Sequence, residues 1–197
     1  MSHSANRPKD TVLSIGALIY TIIFSAVNIF FSKKCFFITI LLYDAIYVVI
    51  FKEKQMKIAI GSDHGGFETK EFLKQILAQK GIDTDDIGTY SADSCDYPLI
   101  ADKMAEVILS KKAEFGVLVC GTGIGISIAA NRYKGIRAAL LYSDETAALA
   151  REHNDANVAV FGGRTQKKED ISRYLEIFLA TPFSGGERHC RRIQELG

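Results

Sequence analysis

The chain has 197 residues, and its 24 basic and 23 acidic residues give a formal net charge of +1. This balance argues against nucleic acid or a strongly acidic partner, because neither sign of charge dominates. The length suits one domain with an appendage. The cysteines lack CxxC spacing, which indicates neither a zinc site nor a disulfide scaffold and favours a reducing compartment, the cytoplasm. They are Cys35, Cys95, Cys120 and Cys190.

Residues 1–55 form a hydrophobic N-terminal extension whose composition differs from that of the rest of the chain. No residue from Thr11 to Ser32 is charged, and a helix of that length can span a bilayer. Either residues 11–51 are a membrane segment, or the start of the protein is mis-assigned. The second interpretation is favoured because Met56 directly precedes a strand typical of a soluble domain. We therefore expect an extension and a domain over residues 56–197, with membrane contact only if the extension is genuinely expressed.

From Met56 onward, apolar strands and amphipathic helices alternate. Strands are predicted over residues 58–60, 82–87, 115–120, 136–141 and 158–161. Helical patterns are predicted over residues 67–80, 98–108, 126–132, 145–151 with Asp144 as the cap, and 171–179. Residues 187–195 form a polar, basic tail. This order predicts an α/β fold, a Rossmann-like three-layer α/β/α sandwich with a five-stranded parallel sheet.

A glycine-rich loop follows the third predicted strand. The strand ends at Cys120, and three glycines at alternate positions then lead into a helix. The first amides of a helix have no intrahelical partner and lie at the positive end of its dipole, so this loop is suited to bind negative charge. It does not match the dinucleotide fingerprint, which would need glycine at Ile126, and it is not a phosphate-loop signature, because no Gly-Lys-Ser/Thr follows. A tight turn beside an inert core cysteine is the alternative interpretation.

Chemically active residues follow several of the predicted strands. Ligands of parallel sheets bind outside the carboxyl ends of the strands. Strand one is followed by Asp63 and His64, strand three by the glycine loop, and strand five by Arg164. An acid, a histidine, a thiol, a nest of amides and an arginine are therefore expected at one edge.

Five motifs, taken together and in this order, resemble ribose-5-phosphate isomerase of type B. They are Ser62–Gly66, Asp96–Pro98, Cys120–Ser127, Glu152–Asn157 and Phe161–Arg164. The resemblance covers residues 56–197, and residues 1–55 have no counterpart in the family. It implies an aldose–ketose isomerase that uses no metal and no cofactor. The family interconverts D-ribose 5-phosphate and D-ribulose 5-phosphate through an enediolate, in the pentose phosphate pathway.

The resemblance also implies a role for each chemical group. Cys120 matches the family's base, which moves a proton between carbon 2 and carbon 1, and a helix N-terminus favours its thiolate. The amides from Gly121 to Gly125 would hold the developing oxyanion. His153 matches the residue that opens the sugar ring, and Asn154 would hold a sugar hydroxyl. Asp63 would orient the sugar hydroxyls, and Thr122 would help relay protons. Substrate contacts are also implied for Gly123, Ile124 and Tyr97. The implied phosphate contacts are His64, Arg164, Arg188 and Arg192.

The family forms homodimers, or dimers of dimers, whose sites lie between subunits, and the same is implied here. Three alternatives stay open. The substrate could be a six-carbon sugar phosphate, such as allose 6-phosphate or galactose 6-phosphate. The protein could be a non-catalytic phosphate- or nucleotide-binding module, although this leaves Cys120 and His153 without a purpose. It could also be a membrane-tethered regulator. His189 and Cys190 have no assigned role.

Overall fold

The structure is a computed structural model, and it describes residues 56–196. The N-terminal extension, including Cys35 and the membrane interpretation of residues 11–51, lies outside the described residues. Within residues 56–196, no helix has the combination of length and apolar character needed to cross a membrane.

Strands and helices alternate through the described part of the chain. The strands are β1 (Ile58–Ser62), β2 (Thr84–Asp86), β3 (Phe115–Cys120), β4 (Ala138–Leu140) and β5 (Val158–Gly162). The helices are α1 (Phe67–Gln79), α2 (Tyr97–Leu109), α3 (Ile124–Ala130), α4 (Asp144–Glu152), α5 (Lys168–Ala180) and α6 (Glu187–Glu195). The predicted basic tail is therefore the last helix.

The five strands form one parallel sheet in the order β2-β1-β3-β5-β4. Because parallel strands are joined by crossovers, the connecting helices cover both faces, and the predicted Rossmann-like three-layer sandwich is confirmed. The strand order reverses direction between β1 and β3. Such a switch point opens a crevice at the carboxyl edge of the sheet, where ligands of this class of fold bind.

Two hydrophobic cores lie on the two faces of the sheet. The alternation of side chains along a strand sends Val117 and Val119 to one core and Leu118 and Cys120 to the other. The first core packs against α1, α4 and α5, and the second packs against α2 and α3. Burial on both faces explains why β3 is a continuous apolar run.

Several details differ from the sequence-based expectations. The predicted cap Asp144 is wrong: the Ser143 hydroxyl accepts the Thr146 N–H at 3.1 Å, and Asp144 is the first residue of α4. Helix α3 begins at Ile124, two residues early, because Gly123 adopts a left-handed φ of 78° and turns the chain into the helix at once. Strands β2 and β4 have three residues each and are both shorter than predicted.

Candidate active site

The ends of the two central strands bring an acid and a thiol to the switch point of the sheet. Asp63 follows β1, and Cys120 is the last residue of the neighbouring β3. The Asp63 N–H donates to the Val119 carbonyl at 3.1 Å. The loop that follows β1, residues 63–66, is therefore fixed against β3, and we call it the first loop. The Asp63 carboxylate accepts the Gly66 N–H at 3.1 Å and is almost fully buried. The predicted grouping of an acid and a thiol at this edge follows from the parallel pairing of the two strands.

The Cys120 thiol lies at the start of the glycine loop and accepts a hydrogen bond from it. The Gly123 N–H donates to Sγ at 3.1 Å, and only 4% of Cys120 is exposed. A β-carbon on Gly123 would lie 3.0 Å from the carbonyl carbon of Phe161, and φ there is positive, so glycine is required on both grounds. Thr122 is exposed, and its hydroxyl accepts the Ile124 N–H at 3.3 Å. The loop thus holds a thiol beside an N–H donor in a largely water-excluded position.

A close approach between loops packs the first loop onto β3. A β-carbon on Gly66 would lie 2.5 Å from the Val119 carbonyl oxygen. One on Gly65 would lie 3.1 Å from the Gly121 Cα. Neither neighbour is a flexible side-chain end, so side chains at these glycines would push apart the loops that carry Asp63 and Cys120.

Arg164 and Tyr97 lie over the glycine loop. The Arg164 N–H donates to the Gly121 carbonyl at 2.9 Å, and its side chain passes over the same glycine. A β-carbon on Gly125 would lie 2.8 Å from Tyr97 Cζ, so the tyrosine ring covers this glycine. Both side chains therefore lie against the glycine loop that begins at Cys120.

His64 lies between the first loop and the segment before α2. Its Nδ1 is 3.3 Å from both the backbone N and the backbone O of Cys95. Either ring tautomer can satisfy one of these groups, so the ring orientation is fixed by Cys95. We call the carboxyl-edge group the thiol half-site. It consists of Asp63, His64, Tyr97, Cys120, Gly121, Thr122, Gly123, Ile124, Gly125 and Arg164.

A buried ion pair supports the strand that leads to Asp63. The fully buried Lys70 ammonium is 2.8 and 2.7 Å from the two Asp86 carboxylate oxygens. Burial alone would raise the pKa of Asp86, but hydrogen bonds from Lys70, Lys74 and the Gly88 N–H together lower that pKa below its usual value. The Gly88 carbonyl in turn accepts the Ser62 N–H at 2.7 Å. The ion pair therefore stabilises the backbone beside the thiol half-site.

The remaining predicted residues form a second cluster. His153 caps the C-terminus of α4, Asn154 follows it, and Arg188 and Arg192 project from α6. All four line a cavity of about 340 Å³, and the two arginines share a helix face as their spacing of four predicts. With His189 this group is called the histidine half-site.

One chain does not bring the two half-sites together. Helix α4 starts after β4 at the carboxyl edge and runs back, so His153 lies at the amino edge of the sheet. Arg137, which precedes β4, donates to the Asn154 carbonyl at 3.1 Å and confirms this placement. Strand β5 spans roughly 13 Å between the edges. Cys120 and His153 of the same chain therefore cannot contact one sugar together.

His189 is a member of the second cluster that the motifs do not identify. Its ring stacks on His153 with centroids 4.4 Å apart and planes at 8°, and Arg188 Nε donates to its Nε2 at 3.2 Å. Burial, followed by the positive charges of His153, Arg188 and Arg192, lowers the pKa of His189. Adjacent residues of a helix do not share a face, so the spacing of His189 from Arg188 does not predict that it belongs to this cluster. Only the tertiary packing shows that it does.

Metal ligands are not gathered in the part of the chain that the structure describes. Residues 56–196 contain no group of three or more His, Cys, Asp or Glu side chains arranged to hold a metal ion. The described cysteines, Cys95, Cys120 and Cys190, are free thiols.

Comparison with known proteins identifies close relatives of this domain. A family model described as Ribose/Galactose Isomerase matches residues 58–196. A putative sugar phosphate isomerase of Rickettsia bellii is 43% identical over 143 residues, which are 73% of this chain and 99% of that protein. Ribose-5-phosphate isomerase B of Escherichia coli is 39% identical over 140 residues, 71% of this chain and 93% of that protein.

Solved structures give the same result. A ribose 5-phosphate isomerase of Thermotoga maritima has 54% identity and a TM-score of 0.70, covering 72% of this chain and 97% of that one. Ribose-5-phosphate isomerase B of Clostridium thermocellum has 42% identity and a TM-score of 0.71, covering 72% and 95%. The matches thus cover nearly the whole of each relative.

Proposed function

The chain belongs to the ribose/galactose isomerase family, and we propose that it interconverts D-ribose 5-phosphate and D-ribulose 5-phosphate through an enediolate. Membership makes it an aldose–ketose isomerase of sugar phosphates. The observation that carries the specific proposal is the Cys120 thiol beside the Gly123 N–H, 3.1 Å away, at the switch point of the sheet. A five-carbon substrate also agrees with the names of the relatives that are called ribose 5-phosphate isomerases.

Cys120 acts as the base in this proposal. The thiolate takes the proton from carbon 2 of the open-chain aldose, electrons move onto the carbonyl oxygen, and an enediolate forms. The same sulfur returns the proton to carbon 1, and the hydroxyl proton on oxygen 2 is transferred to oxygen 1, so that the carbonyl forms at carbon 2 and the ketose is complete. The Gly123 N–H lies 3.1 Å from Sγ and can donate to the thiolate that acts as the base. A positioned base of this kind contributes typically ~10²–10⁴-fold.

The glycine loop supplies the donors for the enediolate oxygens. The N–H groups at the start of α3 have no intrahelical partner, and they lie in the loop that Tyr97 and Arg164 contact at Gly125 and Gly121. Each donor to a developing oxyanion is worth roughly 2.7–4 kcal/mol where it has been measured in enzymes. Asp63 orients the sugar hydroxyls, and Thr122 assists proton relay at the mouth of the loop.

The histidine half-site opens the sugar ring and binds the phosphate. An imidazole can both donate and accept a proton, which suits His153 for ring opening. Arg188 and Arg192 present planar guanidinium groups to the phosphate, together with His64 and Arg164 of the thiol half-site.

We propose that two copies of the chain complete each site as a homodimer. The half-sites lie at opposite edges of one chain's sheet, so a second copy must deliver its His153 to the first copy's Cys120. A twofold arrangement makes both exchanges at once. Ile124 and Ile128, each 54% exposed on α3 beside the glycine loop, provide apolar surface for this contact. A dimer of dimers would add a further interface without changing the site.

A coupled assay with ribose 5-phosphate and allose 6-phosphate in parallel tests the substrate. We expect faster turnover, as kcat/KM, with ribose 5-phosphate. Preference for allose 6-phosphate would select the six-carbon alternative. Nucleotide binding without any turnover would select the non-catalytic module, which the names of the relatives do not favour.

The boundary at Met56 is part of the same proposal. The five strands and both cores lie within residues 56–196, so a chain of residues 56–197 should fold and isomerise its substrate. An insoluble or inactive chain of this length, rescued by adding residues 1–55, would show that the boundary is misplaced.

A further inference from the structure

The turn after α4 is held by two arginines that converge on one carboxylate. Arg151 Nη1 is 2.7 Å from Oδ1 of Asp155, and Arg137 Nη2 is 2.8 Å from Oδ2. Each carboxylate oxygen therefore accepts from a different arginine. Asp155 lies two residues after His153, within the turn that carries the histidine half-site.

The same two arginines also bind the backbone of this turn. Arg137 Nε donates to the carbonyls of Asn154 at 3.1 Å and Asp155 at 2.8 Å, and Arg151 Nη1 donates to that of Ala156 at 2.7 Å. Three consecutive carbonyls are thus held by guanidinium groups. Because the planar fork of arginine fixes the direction of its donors, this arrangement restrains the orientation of the turn.

The backbone conformation explains why such restraint is needed. Asp155 has a φ of 45°, in the left-handed region that few residues other than glycine adopt. A conformation of this kind persists only where the surroundings hold it. The turn places His153 and Asn154 on the cavity side while Ala156 returns to the core.

Further contacts hold both arginines in place. Arg151 is 8% exposed, and its guanidinium carbon lies 4.9 Å from the Phe115 ring centroid and 5.7 Å from that of Phe178. The backbone N–H of Arg137 donates to Asn157 Oδ1 at 2.9 Å, next to β4. The turn is therefore tied both to the core and to the sheet.

We propose that Arg137, Arg151 and Asp155 are positioning residues that hold His153 and Asn154 in the geometry needed for ring opening. This inference rests on the proposed function. None of the three has to contact the sugar, because they act through the turn. A misplacement of about 1 Å can reduce the rate by ~10²-fold. We call these three residues the clamp. Loosening the clamp should therefore impair ring opening without impairing the thiol half-site.

Two variants of the full chain, with one matched control, test the clamp. Arg137→Gln removes the partly exposed arginine. Asp155→Asn keeps the left-handed preference and the size of the side chain but removes its charge. Arg173→Gln is the control, because Arg173 also binds a carboxylate of α4 but at the opposite end of that helix, that of Asp144.

The two readouts separate positioning from general stability. Histidine-detected NMR measures the ring-current shift that His153 and His189 impose on each other when stacked. Kinetics compare ribose 5-phosphate with ribulose 5-phosphate, whose phosphorylated C5 oxygen prevents closure of a ring, so the ketose direction starts from the open chain. Thermal unfolding is followed in every variant.

Both clamp variants are expected to lose the mutual ring-current shift. They should also lose on the order of 10²-fold in kcat with the aldose, and much less with the ketose, while the control stays at wild-type values. An unchanged stack and unchanged kinetics would overturn the proposal. So would equal losses with both substrates alongside a lower melting temperature, which would indicate a purely structural role. If the wild type turned over neither sugar, the proposed function would fail, and the NMR shifts alone would decide whether the clamp positions His153.

Discussion

A mixing experiment tests whether each site is built from two chains. Cys120→Ala disables the thiol half-site, and the double variant His153→Ala/Arg188→Ala disables the histidine half-site. In the proposed homodimer, each variant alone then has two defective sites. A hybrid dimer, in contrast, has one site in which both defects coincide and one site that is intact, because the half-sites are exchanged between copies.

The expected recovery follows from the geometry of the sheet. Roughly 13 Å of β5 separates the two edges, so no rearrangement of side chains within one chain can bring Cys120 to His153. Random pairing of equal amounts makes about half of the dimers hybrids, and half of their sites intact, so about a quarter of wild-type activity should return.

The assay is co-expression of the two variants with different affinity tags, followed by selection for both tags and measurement of ribose 5-phosphate turnover. Selected hybrids should reach about half of wild-type activity, because one of two sites is intact. Pairs of the same variant carrying both tags serve as the control and should stay inactive. Hybrids as inactive as those controls would refute the two-chain site.

The other predictions concern single groups. His153→Ala should reduce kcat more with ribose 5-phosphate than with ribulose 5-phosphate, and an equal loss would move His153 from ring opening to another role. Arg188→Ala and Arg192→Ala should chiefly raise KM and weaken inhibition by inorganic phosphate, whereas unchanged inhibition in both would place them outside the phosphate site. The lowered pKa of His189 means that the folded state resists its protonation. Its contribution to the unfolding free energy is therefore present above the ordinary histidine pKa of ~6.5 and is lost as pH falls through the lowered value. Between pH ~6.5 and the lowered pKa, the melting temperature should depend less on pH in His189→Asn than in the wild type. An identical pH dependence in the variant would contradict the claim that His189 resists protonation in the folded state.

The elements near the site follow closely from the sequence where burial is continuous. The bounds of β3 agree with the prediction because all six of its residues are buried, which leaves an uninterrupted apolar run. The cap of α4 does not, because Ser143 and Asp144 are both good capping residues and only the backbone geometry selects between them. The start of α3 depends on the positive φ of Gly123, which composition does not reveal.

The sequence predicts which residues belong to the candidate site better than it predicts where in the fold they lie. The motifs identify Cys120 and His153 without indicating that they lie at opposite edges, since this depends on α4 running back across the sheet. The clamp is not visible at all in the sequence. Arg137 and Asp155 are 18 residues apart, and no local spacing pairs a residue before one strand with a residue before the next.

Turnover by Cys120→Ala and Cys120→Ser measures the central claim most directly. Both variants should keep the wild-type melting temperature to within a few degrees and should keep inhibition by inorganic phosphate. Their kcat with ribose 5-phosphate should fall by ~10²–10⁴-fold, and serine should not rescue it, because a hydroxyl is far harder to deprotonate than a thiol. A folded Cys120→Ala protein that isomerises ribose 5-phosphate at the wild-type rate would contradict the account.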